Sequence, residues 1–488
     1  MRKTRLFYTL VLTFVAILTY AQPRLRVVVV IDGLTQENLS MLRPYWPAGG
    51  MRQITEEAHQ TTATFPHHVY GGQETMATIM TGSTPTRHSI MADTYFDRDE
   101  RTAQSILIDE QVTGIGSHLQ LSPRSLLSTT LTDEWRIRYG SNAKIYAVGL
   151  NPQATILMAG HAANACCWLN ADKRRWATSS YYPKGLPSAA DEMNINGHIT
   201  SLASDDWKPR MDIANYTQST QQERKRGFSY KNQNILLQSP AANTLVIDMA
   251  LSLQKKQQLG IDITPDLLVL QLNTISPKAQ SDMITTAEQE DMYLCINQDL
   301  GHLMTQLDKQ IGKDKYDIVI VGRPVKGHSQ TAFKAANMPI NYFNTDRAAA
   351  LIGTYLMAIY GHERWVDGGY GPFIYLNRML IERKRMDLEA IQRLVANFLM
   401  EFEGVQIAYP IYEAITSDDK ASIYRKHAGD VYFNLHDNWL LTVNEQNVFD
   451  HVIQSQPTVP VLYWSANKTH NPFTGPIQAT DIKSLILK

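Results

Sequence analysis

The stretch DIVIVGRPVKGH (Asp317–His328) decides how the rest of the chain is read. Ile318, Val319, Ile320 and Val321 form an unbroken apolar run, the mark of a strand buried on both faces of a parallel sheet. In an open α/β sheet, chemistry sits just past the carboxyl ends of such strands. Here that place holds Gly322, Arg323 and Pro324, with no carboxylate and no immediate histidine. Either the working residues lie elsewhere, or the chain has the fold of an enzyme without its chemistry.

Working outward, comparable runs recur in RLRVVVVIDG (24–33), AKIYAVGL (143–150), DLLVLQL (266–272), VYFNL (431–435) and VPVLYW (459–464). Helical patterns lie between them. From Gln289 to Ile311 the residues Ile296, Leu300, Leu303, Leu307 and Ile311 recur at steps of three and four, an apolar stripe suited to packing on a sheet. Strands alternating with helices give an α/β class with a mainly parallel, doubly wound central sheet. Two stretches break the rhythm. Residues of about 165–262 are polar and aromatic and read as a cap-like insertion, and about 370–430 read as a smaller one.

The 488 residues carry 46 Lys plus Arg against 47 Asp plus Glu, a formal net charge of −1. That balance gives no footprint for nucleic acid, an anionic membrane or a polyanionic substrate. Three cysteines make no disulfide framework: Cys166 and Cys167 are adjacent, and Cys295 falls on a helix pattern. The N-terminus has basic Arg2, Lys3 and Arg5, an apolar run from Leu6 to about Thr19, and small Ala21 before Gln22. This is the pattern of a secretory signal over 1–21, leaving a mature chain of 22–488 in the periplasm or outside the cell. No other stretch is long and apolar enough for a transmembrane segment.

Asp32, ending the first buried strand, is a common device of metal and phosphate sites, although many first strands end in Asp simply as a turn or cap. The segment FPHHVYGGQETMATIMTGSTPTRHSIMADTYFD (65–97) adds specificity. It resembles the alkaline phosphatase superfamily, in particular its bacterial phosphate-monoesterase branch. TILMAGHAANACCWLN (155–170), WATSSYYPKGLP (176–187), the helix and strand of 290–322, HAGDVYFNL (427–435), PTVPVLYW (457–464) and TDIKSLIL (480–487) extend the resemblance over most of the mature chain. It implies an α/β/α sandwich with two zinc ions, a threonine nucleophile, and Asn, Lys and Arg side chains that hold the phosphoryl oxygens.

Matched position by position, the resemblance implies that this apparatus is gone. The nucleophile falls on Gly72, and the phosphate-holding Asn on Asp93. The Lys and Arg fall on Asn151 and Gln153. Of the zinc ligands, the Asp and His after the 266–272 strand become Ser276 and Gln280. The Asp and His after the opening strand become Arg323 and Pro324, and the His before the closing strand becomes Thr458. Only Asp32 survives. Arginine in the place of a ligand carboxylate repels a metal ion by about 4 kcal/mol per unit charge at about 4 Å and an effective dielectric of about 20. Arg323 is instead expected to pair with Asp32 in the metal's place.

Other residues admit a plain reading and a functional one. His67, His68 and His328 are displaced metal ligands or ordinary loop residues. His161 orients the insertion. Glu74 pairs with Asp93, or faces solvent, or caps the helix expected over about 72–80. Gly71 and Gly72 allow a tight turn, or expose N–H groups that bind an anion. Trp168, Trp176, Tyr181, Tyr182 and Trp207 line a cleft or cover the sheet.

The expectation is a secreted pseudoenzyme that binds or scaffolds in the cell envelope, with an unknown protein or small molecule as partner, no nucleic acid and no cofactor. A metal-dependent phosphoester or sulfoester hydrolase with relocated ligands is the enzymatic alternative, and it requires zinc. A structural subunit of an envelope complex is the third.

Overall fold

The computed structural model describes residues 23–204, 207–228, 230, 234–279, 282–325, 337–436, 438–444, 447–448, 456–466 and 471–488. The proposed signal over 1–21, Gln280 and His328 lie outside them. A ten-stranded sheet forms the centre. Its strands are β1 (Leu25–Asp32), β2 (His59–Thr64), β3 (Gly114–Ile115), β4 (Ile145–Gly149), β5 (Ala165–Asn170), β6 (Arg175–Ser179), β7 (Asp266–Asn273), β8 (Tyr316–Arg323), β9 (Thr458–Ser465) and β10 (Ile477–Gln478). They lie in the order β10-β2-β9-β8-β1-β7-β4-β5-β6-β3. The five from β8 to β5 are mutually parallel and are flanked by antiparallel β9 on one side and antiparallel β6 on the other.

All eight residues of β1 are buried, which is why the strand reads as an apolar run rather than an alternation. Leu25, Val27, Val29 and Ile31 enter one core with helices α3 (Pro240–Gln257) and α4 (Ala287–Gln310). Val28 and Val30 enter the other with α1 (Gln73–Thr81) and α2 (Pro152–Ala159). The sheet is thus covered on both faces, an α/β/α sandwich. No helix among the described residues is long and apolar enough to cross a membrane.

The register of the middle three strands positions the site. Asp32 at the end of β1 stands opposite Asn273 of β7 and Arg323 of β8. Period-two alternation places Asp32, Gln271 and Arg323 on the α1 face, with Val28, Val30, Val269, Val319 and Val321.

The structure redraws the insertions. Of residues 165–262, β5 and β6 belong to the main sheet and α3 packs on its face, so the added segment is the stretch between β6 and α3. It is strapped to α4 by buried carboxylates. Asp291 accepts from Trp207 Nε1 at 2.6 Å and from the Arg210 N–H at 2.8 Å, and Glu290 accepts from the Thr217 and Gln218 N–H groups at 3.0 and 2.7 Å. The second lobe is larger than the expected 370–430. It holds helices over Thr345–Tyr360 and Leu388–Leu399 and an antiparallel sheet of Val366–Tyr370, Phe373–Leu376, Val431–Leu435 and Val405–Pro410, with its own core. VYFNL therefore belongs to this lobe and not to the central sheet, because its partners are antiparallel neighbours of the lobe.

Candidate functional site

The carboxyl ends of β1, β7 and β8 carry a bonded cluster facing the start of α1. Arg323 meets Asp32 through two parallel bonds, Nε to Oδ1 at 2.6 Å and Nη2 to Oδ2 at 2.6 Å. Its remaining nitrogen, Nη1, donates to the Gly72 carbonyl at 3.0 Å. Arg323 is 3% exposed and Asp32 8%, so this is a buried, charge-assisted fork, the geometry guanidinium and carboxylate share best. Gln271 Nε2 donates to Asp32 Oδ2 at 2.7 Å, while its Oε1 accepts from the Leu150 and Asn151 N–H groups at 3.1 and 3.0 Å. One amide thus ties the ion pair to the start of α2. Burial pulls the Arg323 guanidinium down, but Asp32, then Asp93 and Glu74, outweigh it and hold the group above its ordinary range.

Gly72 is the N-cap of α1 with φ +105, a conformation that suits glycine. The N–H groups ahead of the helix are not free. Glu74 is fully buried and folds back over them, accepting from Tyr70, from Gly71 at 3.1 Å and from Gly72 at 3.0 Å. The anion seat that two glycines before a helix could offer is therefore filled by the chain's own carboxylate, and Glu74 does not face solvent. Burial, then the charge of Asp93, pushes its carboxyl up to about 7 despite these bonds. Asp93 accepts from the Gln73 N–H at 3.3 Å, and burial raises its carboxyl to about 6 against the opposing pull of that N–H and Arg323.

Asn151 caps α2, its Oδ1 accepting from the Ala154 N–H at 3.0 Å and from Gln73 Nε2 at 3.3 Å. Gln153 Nε2 donates to Ser105 Oγ at 2.8 Å and to the Asp93 carbonyl at 3.5 Å. Gly72, Asp93, Asn151 and Gln153 thus lie in one network around α1 and the Asp32–Arg323 pair. The other named positions disperse. Ser276 Oγ bonds Thr286 Oγ1 at 3.0 Å, Thr458 Oγ1 bonds Thr64 Oγ1 at 3.0 Å, and Pro324 has no side-chain donor to offer. Among the described residues, no group of three or more His, Cys, Asp or Glu side chains is placed to hold a metal ion. A zinc centre needs carboxylate, imidazole or thiolate ligands. The cationic fork on Asp32 does not fit that requirement.

The candidate histidines among the described residues, His67, His68 and His161, all have partners. His88 Nδ1 accepts from the Ile90 N–H, so its Nε2–H donates to Thr78 Oγ1 at 3.1 Å. Thr78 then donates to His67 Nε2 at 2.8 Å, and His67 Nδ1–H donates to the His68 carbonyl at 2.9 Å. Burial pushes His67 down to about 4, keeping it neutral. His68 Nε2 bonds Asp419 of the second lobe at 2.6 Å. His161 bridges Asp133 at 2.8 Å and the Leu126 carbonyl at 3.2 Å, neither of them a partner in Asp32's network. Trp168, Trp176 and Tyr182 are core residues, Tyr181 and Trp207 pack partly buried against the cores, and all three cysteines are free and buried. Sequence reasoning missed Gln271 and Gln73. A glutamine inside the apolar run DLLVLQL was the available signal for the first.

With the geometry in view, the comparisons with known proteins are direct. Residues 26–464 match the family model described as type I phosphodiesterase / nucleotide pyrophosphatase. The alkaline phosphatase PafA of Elizabethkingia meningoseptica is 23% identical over 94% of this chain and 90% of its own. The alkaline phosphatase PhoV of Synechococcus elongatus is 24% identical over 87% of this chain and 82% of its own. The crystal structure of wild-type PafA superposes with a TM-score of 0.81 at 22% identity, covering 96% of each chain, so the fold is shared.

Two predictions follow from the network. Arg323→Met leaves the Asp32 carboxylate buried and unpaired, and is expected to cost about 3–5 kcal/mol in urea unfolding. Adding Asp32→Asn recovers most of that loss; simple additivity of the two changes would show that the pair is not coupled. Asp93 and Glu74 both have raised folded pKa values, so the folded state holds protons that the unfolded chain has released. Their contribution to stability is complete below the ordinary carboxylate range and is lost as pH rises to about 7. Asp93→Asn therefore flattens the pH dependence of the melting temperature and gains on the wild type above that pH. An unchanged slope would contradict the assignment.

Proposed function

We propose that this chain, which belongs to the type I phosphodiesterase / nucleotide pyrophosphatase family of the alkaline phosphatase superfamily, is a secreted pseudoenzyme that acts in the cell envelope by binding or scaffolding. The observation that carries the reading is the two-bond seat of Arg323 on Asp32, at the strand ends where family chemistry is expected. A buried guanidinium occupies both oxygens of the one carboxylate that matches a zinc-ligand position. Metal binding there would have to expel an arginine that is hydrogen-bonded through all three nitrogens and leave its charge beside a cation.

The neighbouring positions support the same reading. Gly72 supplies no side-chain nucleophile, and its N–H is held by Glu74. Asp93 places negative charge where a phosphoryl group would need neutral or positive donors. Asn151 and Gln153 carry no charge to offset it. The activity in the relatives' names is therefore not carried over, because fold alone does not determine chemistry. Placement in the envelope rests on the N-terminal pattern of a basic segment, an apolar run and small residues before Gln22.

The test is zinc content by mass spectrometry on mature protein purified without chelators, with p-nitrophenyl phosphate hydrolysis measured after zinc is added. The reading expects trace metal and no turnover above a zinc-only blank. Stoichiometric zinc with turnover would replace it with the hydrolase.

A further inference from the structure

The network beside the ion pair has an excess of acceptors. Gln73 is 3% exposed, and its Nε2 faces the Asn151 oxygen at 3.3 Å. Gln153 Nε2 faces Ser105 Oγ at 2.8 Å and the Asp93 carbonyl at 3.5 Å. The Ala154 N–H commits the Asn151 oxygen as an acceptor and the Asp93 carbonyl can only accept, so each amide turns its nitrogen to a fixed acceptor, while the Ser105 hydroxyl can serve in either role. Both amide oxygens, Gln73 Oε1 and Gln153 Oε1, are then buried with no donor among the described residues. Leaving such an acceptor dry forfeits its hydration without return, and two in one network mark a place where donors belong.

The charge count agrees. Arg323 directs its bonds to Asp32 and Gly72, and among the described residues no other cation is bonded into the group formed by Glu74, Asp93, Gln73, Asn151 and Gln153. The Asp32–Arg323 pair is neutral as a unit, so Asp93 and Glu74 leave the remainder negative when ionised. Burial and mutual repulsion accordingly raise both carboxyls. The network has an outlet, because Asp93 is only half-buried and exposed Gly71 lies so close that a Cβ there would meet Asp93 Oδ1 at 2.6 Å. Tyr370 of the second lobe bonds Thr94, the next residue, and so stands over the same edge.

Resting on the reading that phosphate chemistry has been lost here, we propose that the cluster of Gln73, Asp93 and Gln153 binds a small ligand bearing a primary ammonium group. An ammonium supplies three N–H donors and one positive charge. The cluster supplies two unpartnered amide oxygens and a carboxylate. Its preference is thus the reverse of a phosphate site.

Calorimetry on the mature full chain at neutral pH tests this with three probes: ethanolamine, tetramethylammonium and inorganic phosphate. Ethanolamine is expected to bind at one site per chain. Tetramethylammonium, with the charge but no N–H, should bind at least about tenfold more weakly, and phosphate not at all. Asp93→Asn and, independently, Gln153→Ala should each weaken ethanolamine by about tenfold, with melting profiles confirming that each variant folds. Phosphate binding better than ethanolamine, equal binding of both cations, indifference to both substitutions, or no binding at all would overturn the proposal, the last meaning that water alone satisfies the acceptors. These failures are separable from a failure of the functional reading, which would appear as bound zinc and turnover.

Discussion

A guanidinium and a carboxylate, both nearly sealed from solvent, join the ends of two neighbouring parallel strands, and the rest of the site is arranged around them. The register of β1 and β8 puts Asp32 directly opposite Arg323, so no loop movement is needed to bring them together. Burying either charge alone is expensive, while burying both in a two-bond fork with Gln271 and the Gly72 carbonyl as further partners is tolerable. The constraint extends outward. Gln271 holds the start of α2 and Arg323 holds the start of α1, so both helix starts are tied to one ion pair.

The second consequence concerns the end of α1. A helix N-terminus preceded by glycines presents N–H donors and a partial positive charge. Here Glu74, in the first turn, turns back and takes three of them. That arrangement removes an anion seat and adds a buried carboxylate next to Asp93. Together with the uncharged Asn151 and Gln153, it leaves the surroundings of Asp93 rich in acceptors.

Much of the fold was legible because buried parallel strands announce themselves as apolar runs. LRVVVVID, DLLVLQL and DIVIVG all became central strands, and the stripe of Ile296, Leu300, Leu303 and Leu307 became the buried side of α4. β2 was missed because HQTTAT, in a strand toward one side of the sheet, buries only Ala63 and leaves no run. VYFNL was assigned to the wrong sheet because strand character says nothing of which partners a strand finds. The insertion was drawn too widely because β5, β6 and α3 are set among polar segments that mask their burial. At the site, the resemblance to family motifs singled out Arg323 and Asp93, but Glu74's inward turn depends on backbone geometry at Gly72 that no composition reveals. Gln271 was visible only as an anomaly within an apolar strand.

The central claim is that arginine has taken the metal's place. A crystal grown with excess zinc, with diffraction recorded on both sides of the zinc absorption edge, tests it most directly. The account predicts no anomalous peak beside Asp32 and an Arg323 side chain still forked onto both of its oxygens. A zinc peak within bonding distance of Asp32, with Arg323 turned away, would contradict it.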